Sequence, residues 1–299
     1  MQLDHEARRA GIGASEVSAV LGLSSYMSPY DLWMLKTGQT KLEREQENDA
    51  QIFGILLEDV IAREYARRNN CKVQKVRGML VSKQFPWLFC SPDRKRVASA
   101  INIQIKTAGM FARGWGEEET DNIPTSYLVQ VQQEMLITGL PVTHIPVLVA
   151  GQKYRQYEVR EDKGLQEIIV QKTREFWHCV KTKIPPPPTT LADVAKQFPN
   201  ALDIEIYADD AIAAIVDEVR QAQAEKKRYA EIEENGKTAI GNYMQSANNL
   251  VYGGVTLATW NASTTTRCST TRVKADYPDV WEACSEVSNS RTLLIKKPK

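Results

Sequence analysis

The apolar and polar positions change period several times along the chain, and each change marks an element. Ser15-Glu16-Val17-Ser18-Ala19-Val20-Leu21 opens on a serine suited to cap a helix and ends at Gly22. Ser28 to Gly38 repeats that layout, with Pro29 at the first helical position. The polar stretch Lys41 to Asn48 reads as a loop or the lead into a helix, and Gly54 to Tyr65 follows with apolar residues at helical spacing around Glu58. From Lys72 the period becomes that of strands. Val73, Val76 and Met79-Leu80-Val81 suggest one strand, and Leu88-Phe89-Cys90 leads into Ser91-Pro92-Asp93. Ile101-Asn102-Ile103-Gln104-Ile105-Lys106 alternates as a half-buried strand does. Beyond Ile123-Pro124 the pattern predicts a helix over Tyr127 to Thr138 stopped by Gly139. A hairpin over Thr143 to Ala150 and Tyr154 to Val159 comes next, then an amphipathic helix over Gly164 to Thr182.

Four consecutive prolines, Pro185 to Pro188, continue neither a helix nor an inner strand and mark the strongest boundary in the chain. The division expected is a core over 1–185, a proline-rich linker over 186–207 and an extension over 208–299. The extension is rich in Ala, Glu, Gln and Lys to about Asn249, which predicts a long helix or a helical hairpin broken at Gly236. Its tail turns strand-like at Leu250 to Trp260 and Arg291 to Ile295, around a short helical piece near Val280-Trp281.

Composition narrows the picture. With 42% hydrophobic residues in 299, a sizeable core can form, and no apolar run approaches the ~20 residues of a membrane helix. The N-terminus lacks the layout of a signal peptide. Five scattered cysteines, none in a C-x-x-C pair, read as free thiols in a reducing compartment, which predicts the cytoplasm. The net charge of +1 is uninformative, but basic residues gather at Arg63, Arg67, Arg68, Lys72, Lys75 and Arg77, and again at Arg94-Lys95-Arg96. Such runs form solvated faces or phosphate contacts.

The candidate chemistry lies close to these knots. Hydrolysis of a phosphodiester uses hard cations held by carboxylate oxygens, with a lysine beside them to orient water or offset charge on the phosphoryl group. An aspartate ending one strand, with an acid and a lysine two residues apart on the next, supplies this set, because side chains two apart share a face. Asp93, Gln104 and Lys106 stand at that spacing. Taken alone, the same three residues also fit a turn aspartate after proline and an exposed strand lysine.

Further segments stand in a recognisable order: Arg8-Arg9…Gly13-Ala14-Ser15-Glu16, Phe53-Gly54-x2-Leu57-Glu58, Ser91-Pro92-Asp93, Gln104-Ile105-Lys106-Thr107, and Tyr127-x-x-Gln130-Val131-Gln132 ending at Thr138-Gly139. Together, over about residues 7 to 185, they resemble the lambda-exonuclease and YqaJ-type viral recombinase family of the PD-(D/E)XK nuclease superfamily. The resemblance implies an α/β fold with a central mixed β-sheet flanked by helices, followed by a C-terminal helical and β extension. It also implies a Mg2+-dependent exonuclease, Mn2+ able to substitute, that degrades one strand of duplex DNA from a 5′-phosphorylated end for recombination. Glu58, Asp93 and position 104 would hold metal, Lys106 would assist the attacking water, and Gln130 would support the site. Arg8, Arg9 and Ser15 would bind the 5′ phosphate, as a serine at a helix N-terminus beside an arginine can. Double-stranded DNA ends, a homotrimer and a single-strand annealing partner belong to the same expectation.

Gln104 departs from the glutamate usual in that family, and an amide is a neutral, poorer metal ligand. Three explanations stay open: a substitution that disarms the nuclease, a natural glutamine that the site tolerates, or a degenerate member that binds DNA without cutting. The alternative functions are therefore a non-catalytic DNA-end-binding scaffold and a repair- or restriction-type endonuclease on the same fold.

Overall fold

A computed structural model describes residues 8–40, 48–286 and 291–296. The chain divides into two compact units, Met1–Gln197 and Phe198–Lys299.

The first unit opens with β1 (Ile12–Gly13), a single 3-10 turn (Ala14–Glu16) and α1 (Val17–Val20). The residue that caps this turn is Gly13, whose amide donates to the Glu16 carboxylate at 2.7 Å, so Ser15 lies inside the turn and caps no helix. Glycine is required here because β1 runs against β4 (Leu88–Cys90). A Cβ on Gly11 would meet the Trp87 carbonyl oxygen at 2.7 Å, and one on Gly13 would meet the Phe89 ring at 2.9 Å. α2 (Pro29–Thr37) keeps its expected bounds. Ser28 Oγ accepts from the Asp31 amide at 3.0 Å, and Gly38 ends the helix at φ 75°. α3 (Asp49–Arg68) is capped by Asn48. Ile61, Ala62 and Tyr65 are buried, whereas Phe53, Ile55 and Leu56 on its first half are exposed. Residues 41–47 of the expected loop lie outside the described residues.

The strand expected over Val73 to Val81 is two strands, β2 (Val73–Lys75) and β3 (Leu80–Val81), which join different sheets. Gly78, at φ 80°, lies between them. β5 (Arg94–Arg96), β6 (Ile101–Ile103) and β7 (Lys106–Ala108) precede α4 (Thr125–Thr138), whose end is Gly139 at φ 69°. The hairpin β8 (Val142–Val149) and β9 (Lys153–Arg160), the amphipathic helix α5 (Lys163–Thr182) and α6 (Leu191–Gln197) complete the unit.

The large sheet runs β2, β5, then β6 and β7 end to end, then β8 and β9. β6 and β7 are parallel to β8 and all other pairs are antiparallel, so the sheet is mixed. Ile103 pairs with His144 and Lys106 with Val147, the same offset, so the break at Gln104-Ile105 involves no slip of register. Ile103 and Ile105 pack under α3 with Ile61, Ala62 and Tyr65. Val131 and Met135 of α4 pack on Ile145, Val147 and Tyr157 across the other face. By the twofold alternation of a strand, Asn102, Gln104 and Lys106 turn towards α4. α4 also buries Gln133, whose amide donates to the carbonyls of Ile12 at 3.0 Å and Phe89 at 3.1 Å, linking the helix to the small sheet β1, β4, β3.

The second unit is built on α7 (Asp210–Met244), one helix of 35 residues that passes through Gly236 without a break. β10 (Asn249–Tyr252) and β11 (Val255–Thr259) form a hairpin across Gly253-Gly254, both at positive φ as a two-residue turn demands. α8 (Thr270–Asp276) and α9 (Pro278–Cys284) follow. Residues 291–296 form no strand, contrary to the pattern of Arg291 to Ile295; Arg220 of α7 holds this segment through the Lys296 carbonyl at 3.0 Å. No helix among the described residues is long and apolar enough to cross a membrane, and all five cysteines are free.

Candidate functional site

The site begins where β5 stops pairing with β6. Arg94 is opposite Ile103 in that antiparallel ladder, and continuing the register sets Gln104 opposite Asp93. Asp93 Oδ2 accepts the Ile105 amide at 2.7 Å, standing in for a strand carbonyl where the ladder ends at Pro92. Burial pushes the Asp93 carboxyl up to about 6. The charge of Glu58 adds to this, while Lys106, the Ile105 amide and Arg94 draw it back down.

Beside Asp93 runs a chain of buried polar groups. Lys106 Nζ donates to Gln130 Oε1 at 3.0 Å and lies 4.6 Å from the centre of the Tyr127 ring. Gln130 Nε2 donates to Glu134 Oε1 at 2.9 Å, and Asn102 Nδ2 donates to Glu134 Oε2 at 2.8 Å. The orientation of Gln130 follows from this. A carboxylate oxygen below takes the NH2, so the carbonyl oxygen must face the ammonium above. Loss of hydration holds the Lys106 pKa below its ordinary value, opposed by the charges of Asp93 and Glu134. Burial pushes Glu134 up to about 7, opposed by its two amide donors and Lys106.

Gln104 lies between Asn102 and Lys106 on this face and is 5% exposed. Its Oε1 is buried with no hydrogen-bond partner. An unpaired buried acceptor costs about 1–3 kcal/mol, and the amide oxygens of Asn102, Gln133 and Gln166 are in the same state.

Glu58 reaches this corner from α3, but through a guanidinium. Arg94, buried to 3% exposure, donates to Glu58, to Asp59 and, at 2.7 Å, to the Asp93 carbonyl; Lys75 adds a contact to Glu58 at 3.7 Å. Arg94 is thus an internal cation and does not belong to an exposed basic knot. The first knot is also partly spent, because Arg67 and Arg68 both pair with Glu64. Among the described residues no three His, Cys, Asp or Glu side chains converge as a metal cluster.

The structure brings Asp93, Gln104, Lys106 and Gln130 together, with Glu58 alongside. It places Arg8 and Ser15 with each other at the 3-10 turn: Arg8 Nη2 donates to Ser15 Oγ at 3.3 Å and lies 4.0 Å from Glu16. Glu16 is held by the buried ammonium of Lys36 at 2.7 Å, which also donates to the Arg8 carbonyl at 2.6 Å. Arg9 is exposed. Sequence reasoning passed over Glu134, Asn102 and Lys36. Glu134 had a signal, since it stands four residues after Gln130 and therefore on the same helix face. Asn102 had the alternation with Gln104.

A mixed sheet between helices, with a half-buried carboxylate, an unpaired amide oxygen and a lysine at one break in its strands, defines an α/β domain organised around a polar site. Residues 5–141 match the family model of the YqaJ-like viral recombinase domain. The chain is 28% identical over 298 residues to the uncharacterized protein YqaJ of Bacillus subtilis strain 168, covering 97% of this chain and 92% of that one. Among solved structures, it is similar to an alkaline exonuclease from Laribacter hongkongensis, with 19% identity and a TM-score of 0.48 over 60% of this chain and 92% of that one. A phage related exonuclease from Haemophilus somnus 129PT gives 10% identity and a TM-score of 0.45 over 60% of this chain and 99% of that one.

Proposed function

We propose that the chain is built as a metal-dependent deoxyribonuclease that digests one strand of duplex DNA from a 5′-phosphorylated end. The observation that carries the reading is the placement of the Asp93 carboxylate, the unpaired Gln104 oxygen and the Lys106 ammonium around one break in the sheet. Asp93, Gln104 and Glu58 would hold Mg2+ or Mn2+, and the orphaned buried acceptor of Gln104 fits that role. When bound, such an ion supplies positive charge to the phosphoryl oxygens and a more acidic water. Lys106, fixed by Gln130, orients the water and offsets charge developing on the phosphoryl group. Arg8, Arg9 and Ser15 would receive the terminal phosphate. The family resemblance extends the proposal to a homotrimer around DNA and to a single-strand annealing protein that takes the product.

The test is digestion of 5′-phosphorylated linear duplex with Mg2+ by this chain and by Gln104→Glu, with 5′-hydroxyl ends and closed circles as controls. Cleavage of the phosphorylated linear substrate alone supports the reading. Two folded proteins that leave it intact overturn it, and cut circles indicate an endonuclease. One observation favours a second reading. The amide at 104, together with an arginine already occupying Glu58, suits a protein that binds DNA ends without cutting, and binding with no cleavage even by Gln104→Glu would establish it.

A further inference from the structure

An open groove of about 1160 Å³ lies beside the site, walled on one side by the β2–β3 segment and on the other by the last turn of α4. Its lining carries Lys75, Arg77, Lys83 and Lys95 and no aspartate or glutamate. All four are exposed, and only Lys75 has an ion-pair partner among the described residues, which is Glu58 of the site. Pro92, the neighbour of Asp93, and Asn102, which binds Glu134, also line the groove, so it leads directly away from the residues of the proposed reaction. Its floor is apolar: Met79, Leu80 and Val81 are 37%, 37% and 50% exposed, and Leu136 faces them from α4.

The two walls differ electrically. The cations stand on the wall made by β2, the chain from it to Lys83, and Lys95 of β5 beside Gln74. The α4 wall presents the end of a helix, with Leu136-Ile137-Thr138-Gly139 and their carbonyl groups, which repel anions and accept hydrogen bonds. A duplex keeps its base faces stacked inside the helix and leaves the apolar floor uncovered. A single strand offers phosphates on one side and bases, with apolar faces and N–H donors, on the other.

We propose that this groove binds single-stranded DNA, phosphates on the Arg77, Lys83 and Lys95 wall and bases over Met79 and Leu80 towards the end of α4. The proposal deepens the nuclease reading and rests on it for the origin of the strand, which is the one left when its complement is digested.

The test is fluorescence anisotropy of a labelled oligo(dT) with the full chain in EDTA, so that no cleavage enters. A variant with Arg77→Ala, Lys83→Ala and Lys95→Ala is compared with one neutralising Lys153, Lys172 and Lys181. Each lost phosphate contact lowers the salt slope by about 0.7 for a single strand, so the groove variant should lose about 2 from that slope. Its affinity should fall on the order of a hundredfold at 0.1 M salt, while the control stays within about twofold. A Met79→Asp variant should weaken oligo(dT) more than a blunt hairpin duplex. Equal losses in both triple variants, no loss in the groove variant, or a greater effect of Met79→Asp on the duplex would each overturn the proposal. Mg2+-dependent digestion by Gln104→Glu is scored separately. A groove that passes in a chain that never cuts leaves the groove standing and removes the nuclease. A cutting chain with an indifferent groove does the reverse.

Discussion

Glu134 is 1% exposed and its carboxyl is pushed from an ordinary 4.5 up to about 7, which makes it a measurable load on the fold. The folded chain keeps a proton there that the unfolded chain releases between pH 4.5 and 7. The sign follows: stability is fully present below about pH 4.5 and is lost as pH rises through 7. The shift corresponds to roughly 3 kcal/mol. Glu134→Gln removes the titration and keeps the shape. Its Oε1 still accepts from Gln130, and its NH2 faces Asn102, whose Oδ1 is buried without a partner and can turn to accept it. The variant and the parent should therefore be equally stable within about 1 kcal/mol near pH 4.5, and the variant more stable by about 3 kcal/mol at pH 8. Urea titrations with pulsed hydrogen exchange, read on peptides spanning Thr125–Thr138, report this unit separately from the other. A difference that stays flat within about 0.5 kcal/mol from pH 5 to 8 would refute the reasoning, since it would mean that the two amide donors outweigh burial.

Three further outcomes are expected. Lys106→Met, placed in Gln104→Glu, should lower the rate of duplex digestion by about 10²–10⁴ while circular dichroism and the melting curve stay close to the parent. Arg94→Met removes the hydrogen bonds to Glu58, Asp59 and the Asp93 carbonyl and should destabilise the first unit by about 1–3 kcal/mol at neutral pH, read by the same urea titration. Gly236→Ala should stabilise α7 by about 0.5–1 kcal/mol, seen as slower amide exchange over that helix, because its φ is ordinary and a Cβ there meets nothing within 4 Å.

Elements whose signals are local were readable from the chain. Ser28-Pro29 and Gly38 bound α2, Gly139 ends α4, and the alternation over β8 and β9 gave a hairpin, because caps and periods act within a few residues. What failed depended on partners distant in sequence. Ser15 reads as an N-cap until β1 meets β4 and Gly13 takes that place. Val73 to Val81 reads as one strand, yet its halves pair with β5 and β4 in separate sheets. In the site, the spacing of Gln104 and Lys106 correctly put both on one face. It could not show that Arg94 turns inward to Glu58, or that a glutamate in mid-helix is enclosed by an asparagine from a strand 32 residues before it.

The ladder position taken by Asp93 bears on how the proposed nuclease should be disarmed. Truncating that side chain to alanine would remove a charge and also unfasten the Ile105 amide, so lost DNA binding could reflect a frayed strand end. Asparagine keeps an oxygen for that amide and discards only the charge. Asp93→Asn is therefore the better trap for a bound DNA end, and a comparison of the two variants would separate what the carboxylate does as an ion from what it does as a piece of backbone.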